Sequence, residues 1–312
     1  MESTAASPRV QPDVSHEGID SKTPAIFSFF EKATGTWQYI ISDPQTHQAV
    51  IVDPVLDYDP ASGTISTKSA DDLLSFIEDK KLNVTHILET HAHADHLTSS
   101  RYLKSCLHGT PSIGIGARIT QVQKTFAPVY GYDDPSIFEN SFDIYWKDDE
   151  EFKLGGYNCR VVHLPGHTPD HVGYVFGSAV FTGDSIFNPD VGSARADFPG
   201  GNAKDLYSSM QRLLSLPEDS LLFVGHDYPP NDTRTPLTSV AVREHQAVWK
   251  GKDEVSFVEW RQSRDATLGA PRLLHSSLQV NILGGRLPPQ DQNGRRWLKT
   301  PVRGAPECLT KE

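Results

Sequence analysis

A chain of 312 residues is long enough to bury a sizeable core without disulfides, which sets aside the small-scaffold classes. With 29 Lys and Arg against 40 Asp and Glu the formal charge is −11, so the surface has no general attraction for phosphate backbones and nucleic acid is not an expected partner. Apolar residues make up 37%, and their longest runs, such as Leu221–Val224, are only strand-sized; no membrane span is expected, and the chain reads as soluble and cytoplasmic.

Residues 1–23 have no apolar h-region and mix Glu2, Asp13, Glu17 and Asp20 with Arg9 and Lys22, so they read as a disordered leader rather than a transit peptide. Segments 24–30, 36–42 and 48–53 are rich in Ile, Val, Phe, Tyr or Trp and are separated by Thr34-Gly35 and Asp43-Pro44, which predicts a meander of three strands. Ser69, with Asp72 three residues on, resembles a capping box, and Leu73, Leu74 and Ile77 share a face, predicting a helix over 69–81. Segment 84–89 reads as a buried strand that runs directly into Thr90 to His96, and 97–107 as a helix. A second β-rich stretch covers 151–183 with hairpin turns at Gly155-Gly156 and Gly177-Ser178, followed by a helix over 202–216 and the strand Leu221–Val224.

Two β-rich halves, each followed by helices, predict a sandwich of sheets with helices outside, spanning residues 24–235. Residues 236–312 are expected to pack on that same domain, with helices over 238–250 and 254–268, Phe257, Trp260 and Arg261 covering part of the core, and irregular chain after Asn281. Cys106, Cys159 and Cys308 are odd in number and form no CxxC pair, so neither a disulfide framework nor a thiolate zinc site is indicated.

The chemistry concentrates in Thr90-His91-Ala92-His93-Ala94-Asp95-His96, four ligand-type side chains in six positions immediately after a strand. Chance would produce such an HxHxDH window in only about two sequences per thousand of this composition, so the motif carries weight by itself. In extended chain His91 and His93 project to one side, the turn that follows brings Asp95 and His96 to a neighbouring point, and the small Ala92 and Ala94 leave room; the pattern suits two adjacent metal positions. His167, Asp184 and His226 stand at similar strand-to-loop junctions, in Pro165-Gly166-His167, Gly183-Asp184 and Gly225-His226. A lone histidine after a strand is more often a hydrogen-bonded surface residue, so these three gain force only beside the first motif. Seven N and O ligands without a thiolate favour zinc, iron or manganese, and Asp184 has two oxygens with which to bridge.

With these residues in this order the sequence resembles the metallo-β-lactamase superfamily over roughly residues 24–230. The resemblance implies an α+β fold, a four-layer αββα sandwich with the site along one edge. It implies His91, His93 and His167 on one metal, Asp95, His96 and His226 on a second, and Asp184 between them, with two Zn2+ per chain, or Mn or Fe in their place. Asp184 stands where secreted zinc β-lactamases carry cysteine, which speaks against an antibiotic-destroying enzyme. Segments 182–187, 193–198 and 225–228 further resemble the branch of persulfide dioxygenases and glyoxalase II-like hydrolases. In the dioxygenases a single Fe(II) is held by residues matching His91, His167 and Asp184.

The function expected from the intact seven-residue set and the non-mitochondrial character of the leader is hydrolysis of a small-molecule acyl substrate, in a metabolic or detoxifying role. A metal-activated water would attack a lactam, lactone or thioester, with Asp95 orienting the nucleophile or passing a proton and Asp184 holding the metals. The alternative is an Fe(II)-dependent dioxygenase of glutathione persulfide. Arg195 and Tyr228 are the candidate substrate contacts, against a structural Arg195–Asp197 tie and an aromatic closing the core edge. His171 reads either as orienting a ligand or as a solvent-facing loop residue, Cys159 as buried, and the stretch holding Arg118, Lys124, Tyr130 and Tyr132 as overhanging the pocket. A structural metal scaffold is disfavoured by the open, thiolate-free ligand set, and a nuclease by the charge and the short step from Asp184 to His226.

Overall fold

The computed structural model describes residues 10–229, 235–249, 251–304 and Leu309; Cys308 and residues 1–9 of the expected leader lie outside them. The first half runs β1 (Val14–His16), β2 (Ala25–Glu31), β3 (Thr36–Ser42), β4 (Gln48–Val52), β5 (Val55–Asp59), β6 (Thr64–Ser66), α1 (Lys68–Lys80), β7 (Asn83–Leu88), β8 (Leu97–Thr98), α2 (Ser100–Cys106), β9 (Ser112–Gly116), α3 (Ile119–Tyr130) and β10 (Ile144–Trp146). The second runs β11 (Glu151–Leu154), β12 (Tyr157–His163), β13 (Val172–Phe176), β14 (Ala179–Gly183), α4 (Ala203–Leu214), β15 (Leu221–Val224), β16 (Ser239–Ala241), α5 (Val242–Trp249), α6 (Glu254–Asp265) and α7 (Leu274–Asn281).

Alternation along the strands builds the layers. Phe27, Phe29, Ile40 and Ile51 pack with Leu73 and Phe76 of α1 and Val122 and Phe126 of α3, whereas their neighbours Ile26, Tyr39, Ile41 and Val50 meet Val161, Tyr174, Phe181 and Phe223 of the other sheet. Leu206 and Met210 of α4, Val242 of α5 and Phe257 of α6 then cover Val162, Val180 and Leu222 on the outer face of that second sheet. The result is the four-layer αββα sandwich, α+β in class. Both faces of each sheet are covered, which is why the central strands read as continuous apolar runs. The sheets have the orders β1-β2-β3-β4-β7-β9-β10 and β11-β12-β13-β14-β15-β16, and a small third sheet is ordered β6-β5-β8.

Several boundaries differ from expectation for physical reasons. Residues 10–23, expected as part of a disordered leader, carry β1, which pairs antiparallel with β2 through Val14↔Ser28 and His16↔Ile26, while Asp20 accepts the Ser178 hydroxyl at 2.6 Å. Ser69 does not cap α1; its hydroxyl donates to Asp57 Oδ1 at 2.7 Å, and the N-cap is Thr67 with no side-chain cap bond. Leu97 and Thr98 pair with Leu56 and Val55 of β5, so the helix expected from residue 97 begins at Ser100. Helix α7 occupies chain to which no element was assigned, and its Leu278 and Val280 are buried. Tyr130 of α3 packs in the core beside Phe126, and none of Arg118, Lys124, Tyr130 and Tyr132 lines the cleft described below. Among the described residues no helix is long and apolar enough to cross a membrane.

Candidate metal centre

Strands β4 and β7 run parallel, as do β14 and β15, and the loops beyond their carboxyl ends carry Asp53, the segment 89–96, Asp184 and His226. His167 comes from the loop between β12 and β13. The two sheets are tied at this edge by Trp37 N–H donating to the Gly225 carbonyl at 2.9 Å and by the bridge Thr36↔His226. Close approach here requires glycine: at Gly183, with φ of 48°, a Cβ would lie 2.6 Å from Thr90 Oγ1, and at Gly225 it would lie 2.6 Å from Asp184 Oδ1.

The seven expected ligands meet in two groups. His91, His167 and Asp184 form one, and His93, Asp95, His96 and His226 the other, the atoms of each group lying within 4.8 Å of one another. Asp184 faces both groups: Oδ2 is 4.0 Å from His91 Nε2 and 3.6 Å from His167 Nε2, while Oδ1 is 3.5 Å from His226 Nε2. Asp95 Oδ2 lies 3.2 Å from the same His226 nitrogen. His93, expected with His91 and His167, converges with the second group while its ring centroid also lies 4.1 Å from that of His91, and Asp53 holds its outer nitrogen.

Hydrogen bonds set which nitrogen of each ring is bare. The Thr90 hydroxyl is committed to Asp53 Oδ2 at 2.8 Å, so His91 Nδ1–H donates to Thr90 Oγ1 at 3.0 Å. His167 Nδ1–H donates to the Arg195 carbonyl at 2.7 Å, His96 Nδ1–H to Asp95 Oδ2 at 3.0 Å, and His226 Nδ1–H to the Gly35 carbonyl at 3.3 Å. Each bond leaves Nε2 with its lone pair. His93 is reversed, its Nε2–H donating to Asp53 Oδ1 at 3.0 Å and its Nδ1 without a hydrogen-bond partner among the described residues.

A cation fits this set. His91 Nε2, His93 Nδ1, His96 Nε2, His226 Nε2 and Asp184 Oδ1 are all buried without a hydrogen-bond partner among the described residues, a cost that coordination relieves. Burial pulls the His93 pKa down, but the Asp53 carboxylate outweighs it and raises it to about 10 in the metal-free protein; a cation at Nδ1 displaces that proton. Burial and the charge of His93 push the His91 pKa well below its usual value, so this ring is neutral and ready to ligate.

Sequence reasoning missed the residues behind the ligands. Asp53 also accepts Thr90 N–H at 2.7 Å, Asp170 accepts Ala92 N–H at 2.9 Å, and Asn281 reaches the loop from α7. Glu89, pushed up to about 7 by burial, lies 3.6 Å from His93 Nε2 and accepts the Thr98 and Ser100 hydroxyls. His171 was not among those missed: of its two expected readings the structure has the buried one, with Nε2 accepting the Asp184 N–H, 2.9 Å away. For Asp53 and Glu89 the available signal was an acidic residue directly after a strand, as in Val52-Asp53-Pro54.

A cleft of about 400 Å³ opens onto Asp95, His167, Asp184 and His226, with Phe187, Val191 and Leu268 on its walls and Arg264 and Arg272 exposed at its rim. Arg195 and Tyr228 line it, but their polar ends are engaged. The Arg195 guanidinium donates to both oxygens of Asp197, at 2.5 and 2.7 Å, and to the Gly269 carbonyl; Tyr228 OH donates to the Thr34 carbonyl at 3.0 Å.

A family model described as the metallo-beta-lactamase superfamily matches residues 33–226. Glyoxylase B2 of Dictyostelium discoideum is 43% identical over 283 residues, 89% of this chain and 96% of that protein. The human mitochondrial persulfide dioxygenase ETHE1 is 30% identical over 202 residues, 64% of this chain and 66% of that one. The crystal structure of ETHE1 from Myxococcus xanthus superposes with a TM-score of 0.67 at 27% identity, covering 84% of this chain and 99% of that one. The chain spans 65% of the length of the beta-lactamase hydrolase-like proteins it matches in Xylella fastidiosa.

Proposed function

The chain belongs to the metallo-beta-lactamase superfamily, and from that premise we propose that it is an Fe(II)-dependent dioxygenase of a small persulfide, with His91, His167 and Asp184 as the iron ligands. The observation that carries this reading is the grouping of the ligands. His91, His167 and Asp184 make a compact face of two histidines and one carboxylate, the set that suits a single Fe(II). The similarity to proteins named persulfide dioxygenase ETHE1 and ETHE1 supports it.

Bound to that face, Fe(II) would supply open positions for oxygen and a sulfur donor. The protein's own part is positioning. The Arg195 carbonyl and the Thr90 hydroxyl hold the His167 and His91 rings with Nε2 inward, and His171 holds the Asp184 backbone. Phe187, Val191 and Leu268 give the cleft apolar walls, and the rim guanidiniums of Arg264 and Arg272 suit a substrate whose other end is anionic. In balance, a persulfide RSSH with O2 and water yields the thiol RSH and sulfite, the terminal sulfur being oxidised and oxygen reduced.

One observation favours a second reading, hydrolysis of a thioester, lactone or lactam. His93, Asp95, His96 and His226 also converge, and Asp184 turns its other oxygen toward them, so two zinc or manganese ions would have a shared carboxylate between them for activating water. The likeness to the protein named Glyoxylase B2 accords with it. The deciding experiment is elemental analysis of protein purified without added metal, with oxygen uptake and sulfite release measured on glutathione persulfide. About one iron per chain with stoichiometric oxygen consumption is expected. About two zinc or manganese ions, no oxygen uptake and turnover of a thioester would overturn the dioxygenase in favour of the hydrolase.

A further inference from the structure

We infer that Asn281, at the end of α7, is a positioning residue of the metal centre, whose carboxamide holds the backbone that aims His93 and His96. The residue is 3% exposed. Its Nδ2 donates to the His93 carbonyl at 2.8 Å and to the His96 carbonyl at 2.8 Å, and its Oδ1 accepts the Thr98 N–H at 2.9 Å.

The need for such a group follows from the loop. Residues 89–96, between β7 and β8, are neither helix nor strand; Glu89 N–H still donates to the Gly114 carbonyl and the Thr90 carbonyl accepts Val172 N–H, but the strand pairing does not continue past Thr90, and buried peptide groups left unpaired are costly. Side chains from elsewhere do the pairing. Asp53 and Asp170, being carboxylates, accept from Thr90 and Ala92 N–H, but the His93 and His96 carbonyls require a donor. A carboxamide offers two N–H groups and an acceptor in one plane, and here all three functions are used on a stretch of six residues. Fixing the two carbonyls fixes the peptide planes from which both rings project.

Asn281 lies at the end of a helix packed in the core. Leu278 and Val280 of α7 are fully buried, and the chain leaves the helix through Gly284, with φ of 63°, where a Cβ would collide with the Ser141 carbonyl. Asn281 lies beyond residues 33–226, the stretch that matches the superfamily, so the C-terminal segment contributes to the centre as well as to the core.

The inference rests on the group of His93, Asp95, His96 and His226 taking a cation, as in the two-metal arrangement of the second reading above, whichever reaction follows. Its test uses the full chain and Co(II) as the probe. Wild type, Asn281→Asp, Asn281→Leu and Leu278→Ala are compared for Co(II) affinity against a chromophoric chelator, for the d–d absorption spectrum, and for melting temperature. Asn281→Asp and Asn281→Leu should each weaken Co(II) binding by about 10–100-fold and alter the d–d band. Leu278→Ala should lower the melting temperature while leaving Co(II) affinity within about twofold, because it removes core packing from the same helix without touching the loop. Unchanged affinity and spectrum in a folded Asn281→Asp or Asn281→Leu chain would overturn the inference, as would an equal loss of affinity in Leu278→Ala. A wild type that takes up no Co(II) would overturn the metal centre itself and this role with it. Because binding is read without turnover, an absence of oxygen uptake bears on the reaction alone.

Discussion

Asp53 accepts the Nε2–H of His93 at 3.0 Å, which leaves Nδ1 as the ring nitrogen turned toward the other candidate ligands. The same carboxylate accepts the N–H and hydroxyl of Thr90, so one buried side chain fixes both the start of the ligand loop and the orientation of its second histidine. Asp53→Asn keeps the shape but removes the charge that favours a donor at His93 Nε2. Metal affinity should fall about 10–100-fold, read by chelator competition on a chain whose circular dichroism is unchanged. Wild-type affinity in that variant would contradict the role.

Gly225 gives a steric prediction. A methyl group there would lie 2.6 Å from Asp184 Oδ1 and 3.0 Å from the Gly183 carbonyl carbon, so Gly225→Ala must displace either the ligand carboxylate or the backbone that carries it. The variant should lose most of its bound metal on dialysis and about 1–3 kcal/mol of stability. Full metal content by elemental analysis together with an unshifted melting temperature would be incompatible with the spacing described.

His245 on α5 makes stability depend on pH away from the metal. It is fully buried, neither ring nitrogen has a hydrogen-bond partner among the described residues, and burial lowers its pKa from 6.5 to about 4. The folded chain therefore holds the ring neutral while the unfolded chain protonates it, so its contribution is fully present above pH 6.5 and is lost as pH falls toward about 4. Urea titrations of wild type and His245→Phe should run parallel at neutral pH, with the wild type losing ground steadily below pH 6.5. A stability difference that stays constant across that window would rule the titration out.

Arg261 and Asp265 form a buried ion pair on α6 that clamps the loop after Asp184. Arg261 donates to the Ser193 carbonyl at 3.0 Å, Asp265 accepts Ala196 N–H at 3.0 Å, and between them lies Arg195, whose carbonyl holds His167. Arg261→Met should cost about 3–5 kcal/mol, since it leaves the Asp265 carboxylate buried and unpaired, and adding Asp265→Asn should cost much less than it does alone. Strict additivity in denaturant unfolding would show that the two side chains do not act as a pair.

The candidate ligands stand out in the sequence because metal chemistry favours His and Asp, and because four of them fall in one short stretch after a strand. The layers were legible for a similar reason: period-2 apolar segments such as Thr36–Ser42 have one geometry available to them. The supporting residues were not. Asn281, Asp170 and Arg261 act on backbone atoms far away in the chain, and nothing in their neighbours' identities marks that destination. Arg195 lies on the cleft with its guanidinium on Asp197, as one of its two expected readings has it, and its carbonyl, which no charge marks, accepts His167 Nδ1–H. The helix expected from residue 97 failed because Leu97 and Thr98 were read by local preference, whereas pairing with β5 decides their conformation.

The strand β1 has a bearing on how the protein behaves in solution. It lies against β2, whose sequence Ala-Ile-Phe-Ser-Phe-Phe-Glu would otherwise be the outermost strand of the seven-stranded sheet. Without its partner that strand would present unpaired peptide groups flanked by aromatic rings, a template on which another chain can dock edge to edge. The short polar segment Val14–His16 thus acts as a shield for the molecule's colloidal stability, and a fragment cut at residue 24 would keep every ligand yet tend to clump.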